Sequence, residues 1–388
     1  RLGQVSDPDS VGVKALDEVT LSVELEGPTG YFLHLLASPI TFPAPRHVLR
    51  LHGEAWAEPG HIVTCGPFTL KTWKPGERMT LVRNPDFRGR FTGNLESVEL
   101  RLSDLDPDVS LKMYEADRLD VVDVSALQVG RVRQRHAGEY RRLPQLSTAY
   151  LQFDVSRAPF NDVRVRRAFV LATDRESVVR AARPDSFPAT GGFVPPGMPG
   201  HLPGIGLACD PEWARQLLAE AGYPGGRGFP VIESCVRTGQ ADLGENLQAQ
   251  WRRNLGVRVE FETMEWQAIL ARLGEQLPNL LIMGWVADYP DPNSFLRVRI
   301  GHIQEQSEWR NDGYDSLTRR AQRSLDQSER MVLYEEAERT LVEEAPIMPL
   351  FHRSVRLLVK PWVTRFPTTG LREWFLKDVV IELHTMQE

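Results

Sequence analysis

The chain of 388 residues has few cysteines and few long apolar runs, and each shortage excludes a class of protein. Its three cysteines, Cys65, Cys209 and Cys235, are odd in number and far apart, which excludes a fully paired disulfide framework and any CxxC motif. One disulfide between Cys209 and Cys235 stays open, but we expect buried, unreactive thiols, because free cysteine packs as a small hydrophobe. Apolar runs such as 279–283 fall well short of the roughly 20 residues that cross a bilayer, so we expect no membrane-spanning helix.

The sequence also has no strong excess of charge of either sign. Its 46 basic and 52 acidic residues give a net charge of -6, which leaves no electrostatic footprint for nucleic acid or an anionic membrane. Hydrophobic residues make up 41% and charged residues 25%, an ordinary globular composition. The balanced charge favours a small or neutral partner. Because the chain is too long for one ordinary core, we also expect two domains.

Motifs of catalysis are missing as well. The sequence contains no GxSxG, HExxH, Walker or Rossmann glycine pattern, and the glycine-rich run 225–228 is too short to count. Cys65 lies in an alternating strand pattern, which favours a packed thiol over a nucleophile. His47 and His52 are five residues apart, which does not place them on one helical face as metal ligands. We therefore expect no enzyme, no metal site and no cofactor.

The order of predicted elements indicates an α/β protein. Alternating polar and apolar residues predict a hairpin over 12–25 and a twisted sheet over 65–102. Helical periodicity runs over 163–182, where the arginines on the polar face predict a solvated surface. The remaining predictions are helices at 31–37, 108–119, 211–221, 243–255, 266–273, 316–324 and 328–344, and strands at 230–235, 257–261, 280–283, 349–351, 355–359 and 379–383. Alternation of helices and strands after residue 211 is typical of an α/β lobe.

Several segments, in order along the chain, resemble a known family. Residues 62–71 read Ile-Val-Thr-Cys-Gly-Pro-Phe-Thr-Leu-Lys, with Cys65 in place of a usual asparagine, and residues 160–168 read Phe-Asn-Asp-Val-Arg-Val-Arg-Arg-Ala. The stretches 285–295 and 358–362 continue the series. Together they resemble the bacterial extracellular solute-binding proteins of family 5, which include oligopeptide, dipeptide and nickel receptors. The resemblance spans essentially the whole chain.

This resemblance implies a two-lobed, periplasmic-binding-protein-like (type II) α/β fold with hinge-linked lobes. Lobe I is expected to comprise residues 1–155 plus 355–388, and lobe II residues 156–354, joined by hinge strands near Phe153 and Val355. Family members carry an earlier segment before the hairpin that supplies strands to the first lobe. We therefore expect this chain to be N-terminally truncated, with lobe I lacking its N-terminal segment.

Two aspartates follow the predicted strand at 280–283, in a proline-limited turn of the kind that carries function on a rigid scaffold. By resemblance, Asp288 matches the aspartate that pairs with the α-ammonium group of bound peptides, a charge-assisted contact. The alternative is that Asp288 or Asp291 merely caps a turn. With the family match we predict ligand contact for Asp288 and capping for Asp291. At Ile282, where some members carry a basic residue, the apolar side chain favours a shorter ligand or one without a carboxylate at that end.

Other positions match residues that line the ligand cleft in the family. Tyr150, Trp266 and Trp285 are aromatic, and such rings offer a large rigid contact area, although each is also a candidate for core packing. Arg353 is a candidate partner for a ligand carboxylate, with a surface ion pair beside a hinge as its alternative. His352 is more often a satisfied polar group than a ligand contact. The predicted ligand site therefore comprises Tyr150, Trp266, Trp285, His352, Arg353 and, as its charged member, Asp288.

The predicted function is the solute-binding component of an ABC importer. Such a protein captures a peptide or other small amine-bearing ligand between its lobes by hinge closure and presents it to an ABC transporter permease. We expect an extracytoplasmic monomer, periplasmic or a cell-surface lipoprotein, that contacts no nucleic acid. The alternative is a cytoplasmic ligand-sensing domain fused to a DNA-binding or signalling domain, which three free thiols and the lack of an export signal permit.

Overall fold

The computed structural model describes residues 11–102, 105–182, 189–275, 278–297 and 309–382. A mixed six-stranded sheet is the centre of the structure, and a three-stranded antiparallel sheet and two small two-stranded sheets accompany it. The predicted α/β class is confirmed. Within the described ranges, no helix has both the length and the apolar character needed to cross a bilayer.

The N-terminal segment, residues 11–61, begins with the predicted hairpin. Its elements are β1 (Val13–Ala15), β2 (Leu21–Val23), α1 (Phe32–Leu36) and α2 (Arg46–His52). The two strands pair antiparallel, and in the turn between them the Val19 N–H donates to the Asp17 carboxylate over 2.9 Å. Most of this segment is exposed, since only Tyr31 and Val48 are buried within residues 11–61.

The next part of the chain forms the three-stranded sheet and two helices beside it. Its elements are β3 (Phe68–Lys74), β4 (Arg78–Arg83), β5 (Ser97–Arg101), α3 (Pro107–Glu115), β6 (Val121–Asp123) and α4 (Val129–Arg135). The alternation predicted over 65–102 is confirmed, with strand order β3-β4-β5 and antiparallel pairing. Helix α3 begins where expected because Asp106 accepts from the Asp108 N–H over 2.8 Å and Pro107 occupies the first turn.

The six-stranded sheet has the strand order β6-β11-β7-β10-β8-β9. Its further strands are β7 (Tyr140–Phe153), β8 (Ile232–Arg237), β9 (Val259–Met264), β10 (Leu280–Val286) and β11 (Ile347–Val359). Strand β7 is antiparallel to both β10 and β11, whereas β8 is parallel to β9 and β10. The chain then adds the pair β12 (Val363–Arg365) and β13 (Val380–Ile381).

One strand prediction is wrong in detail. The two strands expected at 349–351 and 355–359 are a single strand, β11, of 13 residues. Its pairing with β7 shifts register between Pro349 and Phe351 and again between His352 and Ser354. A bulge inserts an extra residue and interrupts the period-2 pattern, which is why the sequence pattern indicated a break.

The helices of the second half cover both faces of the sheet. They are α5 (Val163–Leu171), α6 (Arg175–Ala182), α7 (Pro211–Glu220), α8 (Ala241–Leu255), α9 (Trp266–Glu275), α10 (Asn293–Leu296), α11 (Asp312–Arg323) and α12 (Gln327–Glu344). The helical region expected over 163–182 is divided into α5 and α6. The division occurs because Asp174 accepts from the Ser177 N–H over 3.0 Å and so begins a new helix. The predicted Asp162 cap of α5 is confirmed by its bond from the Arg164 N–H, 2.8 Å.

The arginines of α5 correct another expectation. Arg166 is only 4% exposed, and its guanidinium donates to the backbone carbonyls of Phe160 (2.9 Å) and Glu344 (2.7 Å). The interpretation of this face as a solvated surface is therefore wrong for Arg166. Burial of the guanidinium lowers the pKa of Arg166 to about 10, against the opposing charge of Glu344. The sequence did not indicate the burial of Arg166, because its partners are backbone carbonyls, which every residue type carries.

The two faces of the six-stranded sheet carry different cores. On one face Ala149, Leu151 and Ile282 pack with the apolar sides of α5, α7 and α8. On the other face Tyr150 and Met283 pack towards α10, α11 and α12. Successive residues of a strand project to opposite faces, so neighbouring positions of β7 and β10 belong to different cores.

Candidate ligand-binding site

A row of three side chains crosses the central strands of the sheet. The pairing registers place Trp285 of β10 opposite Thr148 of β7, and Thr148 opposite His352 of β11. Residues paired in this way project to the same face. The structure therefore brings the predicted site residues Trp285 and His352 to one face, with the unpredicted Thr148 between them.

Hydrogen bonds fix the protonation of His352. The Thr148 hydroxyl donates to the Phe193 carbonyl over 2.7 Å, so it accepts from Nδ1 of His352, 3.0 Å away. Nδ1 of His352 therefore carries the proton, and Nε2 is buried without a hydrogen-bond partner. Burial, and then the neighbouring His201 ring at 5.7 Å, lower the pKa of His352 to about 3, so the ring is neutral at neutral pH.

Tyr150 lies on the same face, but as a core residue of the described structure. It is 6% exposed, and its ring meets the edge of Phe193 with centroids 5.2 Å apart. Burial raises its pKa to about 12. Its neighbour across the strand pair is Met283, which contacts the cluster around Trp285 and also the cluster that contains Trp266. Both tryptophans are half-buried, so this side of β10 presents an apolar surface that is not fully covered.

Arg353 does not share that face. A side chain at Gly284 would collide with the Arg353 guanidinium, which therefore lies on the side of the sheet towards which residue 284 projects. Trp285, the next residue of β10, projects to the opposite side. Ile282, two residues earlier, is 6% exposed and packs in the core under the helices. The structure thus separates Arg353 from Tyr150, Trp285 and His352.

Asp288 is an exposed residue in the otherwise largely buried loop that directly follows β10. Ser294 holds both ends of this loop. Its carbonyl accepts from the indole N–H of Trp285 over 2.7 Å, and its hydroxyl accepts from the Asp288 N–H over 2.9 Å. The backbone of Asp288 is fixed while its carboxylate stays accessible, an arrangement suited to meeting a cation.

Asp291, in the same loop, is buried. One carboxylate oxygen accepts from the Asn293 N–H over 3.0 Å, which is the predicted capping contact. The other oxygen pairs with the guanidinium of Arg330 at 2.5 Å, and both side chains are almost completely buried. Burial acts to lower the pKa of Arg330, but the hydrogen bond and charge of Asp291 prevail and raise it. The distant partner Arg330 gave no signal in the sequence.

A second buried charge, Glu338 of α12, was also not predicted. One of its oxygens accepts from the backbone N–H groups of Phe193 (2.7 Å) and Val194 (2.9 Å), and its other oxygen has no hydrogen-bond partner. Burial raises the pKa of Glu338 to about 7, although the two N–H groups act in the opposite direction. Glu338 thereby anchors the backbone at Phe193, whose carbonyl also accepts from the Thr148 hydroxyl.

Other features of the described residues lie away from this surface. A cavity of about 590 Å³ opens between β5, β6 and the C-terminal pair β12 and β13, and none of the six predicted site residues lines it. No cluster of three or more histidine, cysteine or acidic side chains suited to a metal occurs within the described ranges. Cys65, Cys209 and Cys235 are all free thiols, and only Cys235 is buried, so the expectation of buried thiols is wrong for the other two.

With the fold and this surface described, the chain can be compared with known proteins. The family model "Bacterial extracellular solute-binding proteins, family 5 Middle" matches residues 2–301. The probable deoxycholate-binding periplasmic protein YgiS of Escherichia coli is 32% identical over 398 residues, covering 98% of this chain and 72% of the relative. The periplasmic oligopeptide-binding protein OppA of the same species is 31% identical, covering 91% of this chain and 67% of the relative.

Solved structures agree. A periplasmic oligopeptide-binding protein (OppAIV) of Borrelia burgdorferi superposes with a TM-score of 0.76 at 28% identity, over 95% of this chain and 75% of that one. The murein tripeptide-binding protein MppA of Escherichia coli gives a TM-score of 0.78 at 24% identity, over 97% and 76% respectively, which shows the fold.

The matches first define the class: this is a two-lobed, periplasmic-binding-protein-like α/β structure that binds a solute and is not an enzyme. The chain belongs to the bacterial extracellular solute-binding proteins, family 5. It is the solute-binding component of an ABC importer and acts outside the cytoplasm, so the sensor alternative is not supported. The boundaries of its lobes, 1–155 with 355–388 and 156–354, stay a prediction.

Proposed function

We propose that this protein captures short peptides by their α-ammonium group, with Asp288 as the charged contact. The observation that carries the proposal is the accessible Asp288 carboxylate on a loop whose backbone is fixed by Ser294. Two relatives of known name, OppA and MppA, bind peptides according to their names. A carboxylate that is held in place loses little freedom when it meets an ammonium group, which favours affinity.

The half-buried rings of Trp266 and Trp285, with Met283 between their clusters, are proposed as the apolar wall against which the ligand rests. Tyr150 and His352 lie on the same face of the sheet as this wall but are buried, and we propose that they support it and contact only a ligand side chain that reaches into the core. Arg353 is proposed to meet a ligand carboxylate from the other side of the sheet. Closure of the lobes would exclude water from the contact between Asp288 and the ligand, which strengthens the ion pair.

We further propose that the protein works as a monomer in the periplasm or at the cell surface. It delivers its ligand to an ABC transporter permease and makes no contact with nucleic acid. The acidic net charge of -6, without a basic surface stripe in the sequence, supports the last point.

The test is calorimetric titration of the purified chain with trialanine and with N-acetyl-trialanine, which lacks the ammonium group. Wild type should prefer trialanine, and Asp288→Ala should lose about 2 kcal/mol or more of its binding, roughly 30-fold in Kd. The variant should also lose its discrimination between the two peptides. Asp312→Ala, which removes a carboxylate at the start of α11, serves as the matched control. Equal binding of both peptides by wild type would refute the role of Asp288.

A second ligand class has one observation in its favour. The wall formed by Trp266, Met283 and Trp285 is apolar, which suits the apolar face of an amphipathic anion. YgiS is named as a probable deoxycholate-binding protein and is 32% identical to this chain. Deoxycholate therefore belongs in the same titration. Binding of deoxycholate that is insensitive to Asp288→Ala, with no binding of trialanine, would favour this second class.

A further inference from the structure

Tyr31 is an exception within the N-terminal segment. Apolar side chains of this segment are largely exposed, for example Val19 at 95%, Leu33 at 77% and Ile40 at 90%. Tyr31, in contrast, is only 5% exposed, although it precedes a helix of five residues, α1, in which no residue is buried. Something outside the segment must cover its ring.

The cover is the loop that carries Asp288. The Tyr31 ring lies nearly parallel to the ring of Tyr289, with an interplanar angle of 8° and centroids 5.2 Å apart. The Arg330 guanidinium lies 5.7 Å from the centre of the Tyr31 ring. Gly30 also lies close to Arg330, since a Cβ atom at this residue would be 3.0 Å from Nη1 of Arg330. Gly30 and Tyr31 thus dock on one small surface, formed by Tyr289 and Arg330.

This docking surface is built independently of Tyr31. Arg330 is held by Asp291 at 2.5 Å and by Gln327 at 2.9 Å. The completely buried Asn293 accepts from the Tyr289 hydroxyl over 2.7 Å and donates to the Tyr334 hydroxyl over 3.0 Å. A network whose members are all bonded is rigid. The surface of Tyr289 and Arg330 is therefore held in place without Tyr31, and Gly30 and Tyr31 dock on it.

Tyr289 is the residue next to Asp288, so whatever holds the Tyr289 ring also limits the motion of the Asp288 backbone. We infer that Gly30 and Tyr31 form a clasp by which the N-terminal segment docks on Tyr289 and Arg330 and holds the Asp288 loop in one conformation. The inference rests on the proposed role of Asp288, and it assigns Tyr31 as a positioning residue that does not touch the ligand. Release of the clasp would leave the loop intact but mobile.

Hydrogen-exchange mass spectrometry of the whole chain without ligand tests the clasp. In Tyr31→Ala, the amides of residues 285–294 should exchange about 10-fold faster than in wild type, because the ring that covers Tyr289 is gone. Tyr31→Phe keeps the ring and should rescue protection. Leu33→Ala, in the same helix α1 but at an exposed position, should match wild type. Unchanged protection of 285–294 in Tyr31→Ala would overturn the inference.

Gly30→Ala is the second variant, and it keeps the Tyr31 ring. The backbone of Gly30 is outside the left-handed region, so alanine fits its conformation, and only the added methyl group against Arg330 disturbs the clasp. It should also speed exchange of 285–294, while the peptide covering α8 stays protected. If Tyr31→Ala speeds exchange in α8 as well, the whole fold has loosened, and the result for Gly30→Ala tests the clasp instead. Unchanged exchange of residues 285–294 in Gly30→Ala would then overturn the clasp.

These outcomes are separate from those of the proposed function. The exchange experiment contains no ligand, so failure of trialanine to bind leaves its result intact. Conversely, Tyr31→Ala should release trialanine faster in stopped-flow measurements while its association rate is unchanged. A loss of protection without any effect on trialanine would support the clasp and reject Asp288 as the ligand contact.

Discussion

The two faces of the six-stranded sheet are made by alternate residues of the same strands, and yet they differ in chemistry. The face that carries Ala149, Leu151 and Ile282 is largely apolar and packs against α5, α7 and α8. The face that carries Thr148, Trp285 and His352 contains hydrogen-bonded polar groups and half-buried rings. Burial of apolar area gives stability without direction, whereas hydrogen bonds fix position. The comparison indicates that one face stabilises the fold and the other positions the ligand surface.

The largest effect is expected from the apolar face. Trp251 of α8 is completely buried there, and its indole N–H donates to the Thr173 hydroxyl over 2.9 Å. Trp251→Ala should cost about 4 kcal/mol of unfolding free energy, from lost burial and the cavity that remains. Urea denaturation followed by circular dichroism measures it, with the 43% exposed Trp213→Ala as control. Trialanine affinity of the folded fraction should not change, and a large change would break the proposed division between the faces.

The next effect is expected from the polar face. Asp291→Asn keeps an oxygen for the Asn293 N–H but leaves the buried guanidinium of Arg330 without its counter-charge. We expect a loss of about 3 kcal/mol in the same denaturation experiment, because an unpaired buried charge is costly. Asp288→Asn, in the same loop but exposed, should leave stability unchanged. Equal stability of wild type and Asp291→Asn would mean that the loop is not held by this ion pair.

A smaller effect, dependent on pH, is expected at Glu338. Its pKa is raised to about 7 in the folded protein, above the ordinary 4.5, so the folded state binds this proton more tightly than the unfolded state. The contribution of Glu338 to the free energy of unfolding is therefore fully present below about pH 4.5 and is lost as pH rises through 7.

Between pH 5 and pH 8, wild type should therefore lose about 2 to 3 kcal/mol relative to Glu338→Gln, which cannot ionise. His352 has a lowered pKa and acts in the opposite sense as pH falls below 6.5, but equally in both proteins. Denaturation curves at several pH values measure the difference. Glu336→Gln, exposed on the same helix, should follow wild type, and parallel pH profiles for Glu338→Gln and wild type would contradict the prediction.

Local patterns predicted most of the fold. The hairpin, the sheet over 65–102 and the helix that ends at Gly256 all carry their signals within a few residues, such as the left-handed φ of +72° at Gly256. What failed were features set by distant partners. Arg166 is buried because its guanidinium donates to the Glu344 carbonyl, 178 residues away, and the bulges of β11 arise from the pairing of β11 with β7.

The site was predictable in composition but not in arrangement. The sequence placed Asp288 and Asp291 in one loop after a strand, and the capping role of Asp291 is confirmed. It did not predict Thr148 between Trp285 and His352, nor the ion pair of Asp291 with Arg330. Strand register decides which side chains share a face, and register is not encoded in any single segment. For the same reason Arg353, adjacent to His352 in sequence, lies on the opposite side of the sheet.

The lengths of β7 and β11 limit how this protein can be divided into fragments that fold. Each strand, 14 and 13 residues long, pairs with the other along most of its length and contributes to the clusters at both ends of the sheet. A fragment that stops between the predicted lobes would leave one long strand without its partner and expose an unpaired edge. Neither predicted lobe should therefore fold as a separately expressed piece, and co-expressed fragments should reassemble only if the cut lies outside these two strands.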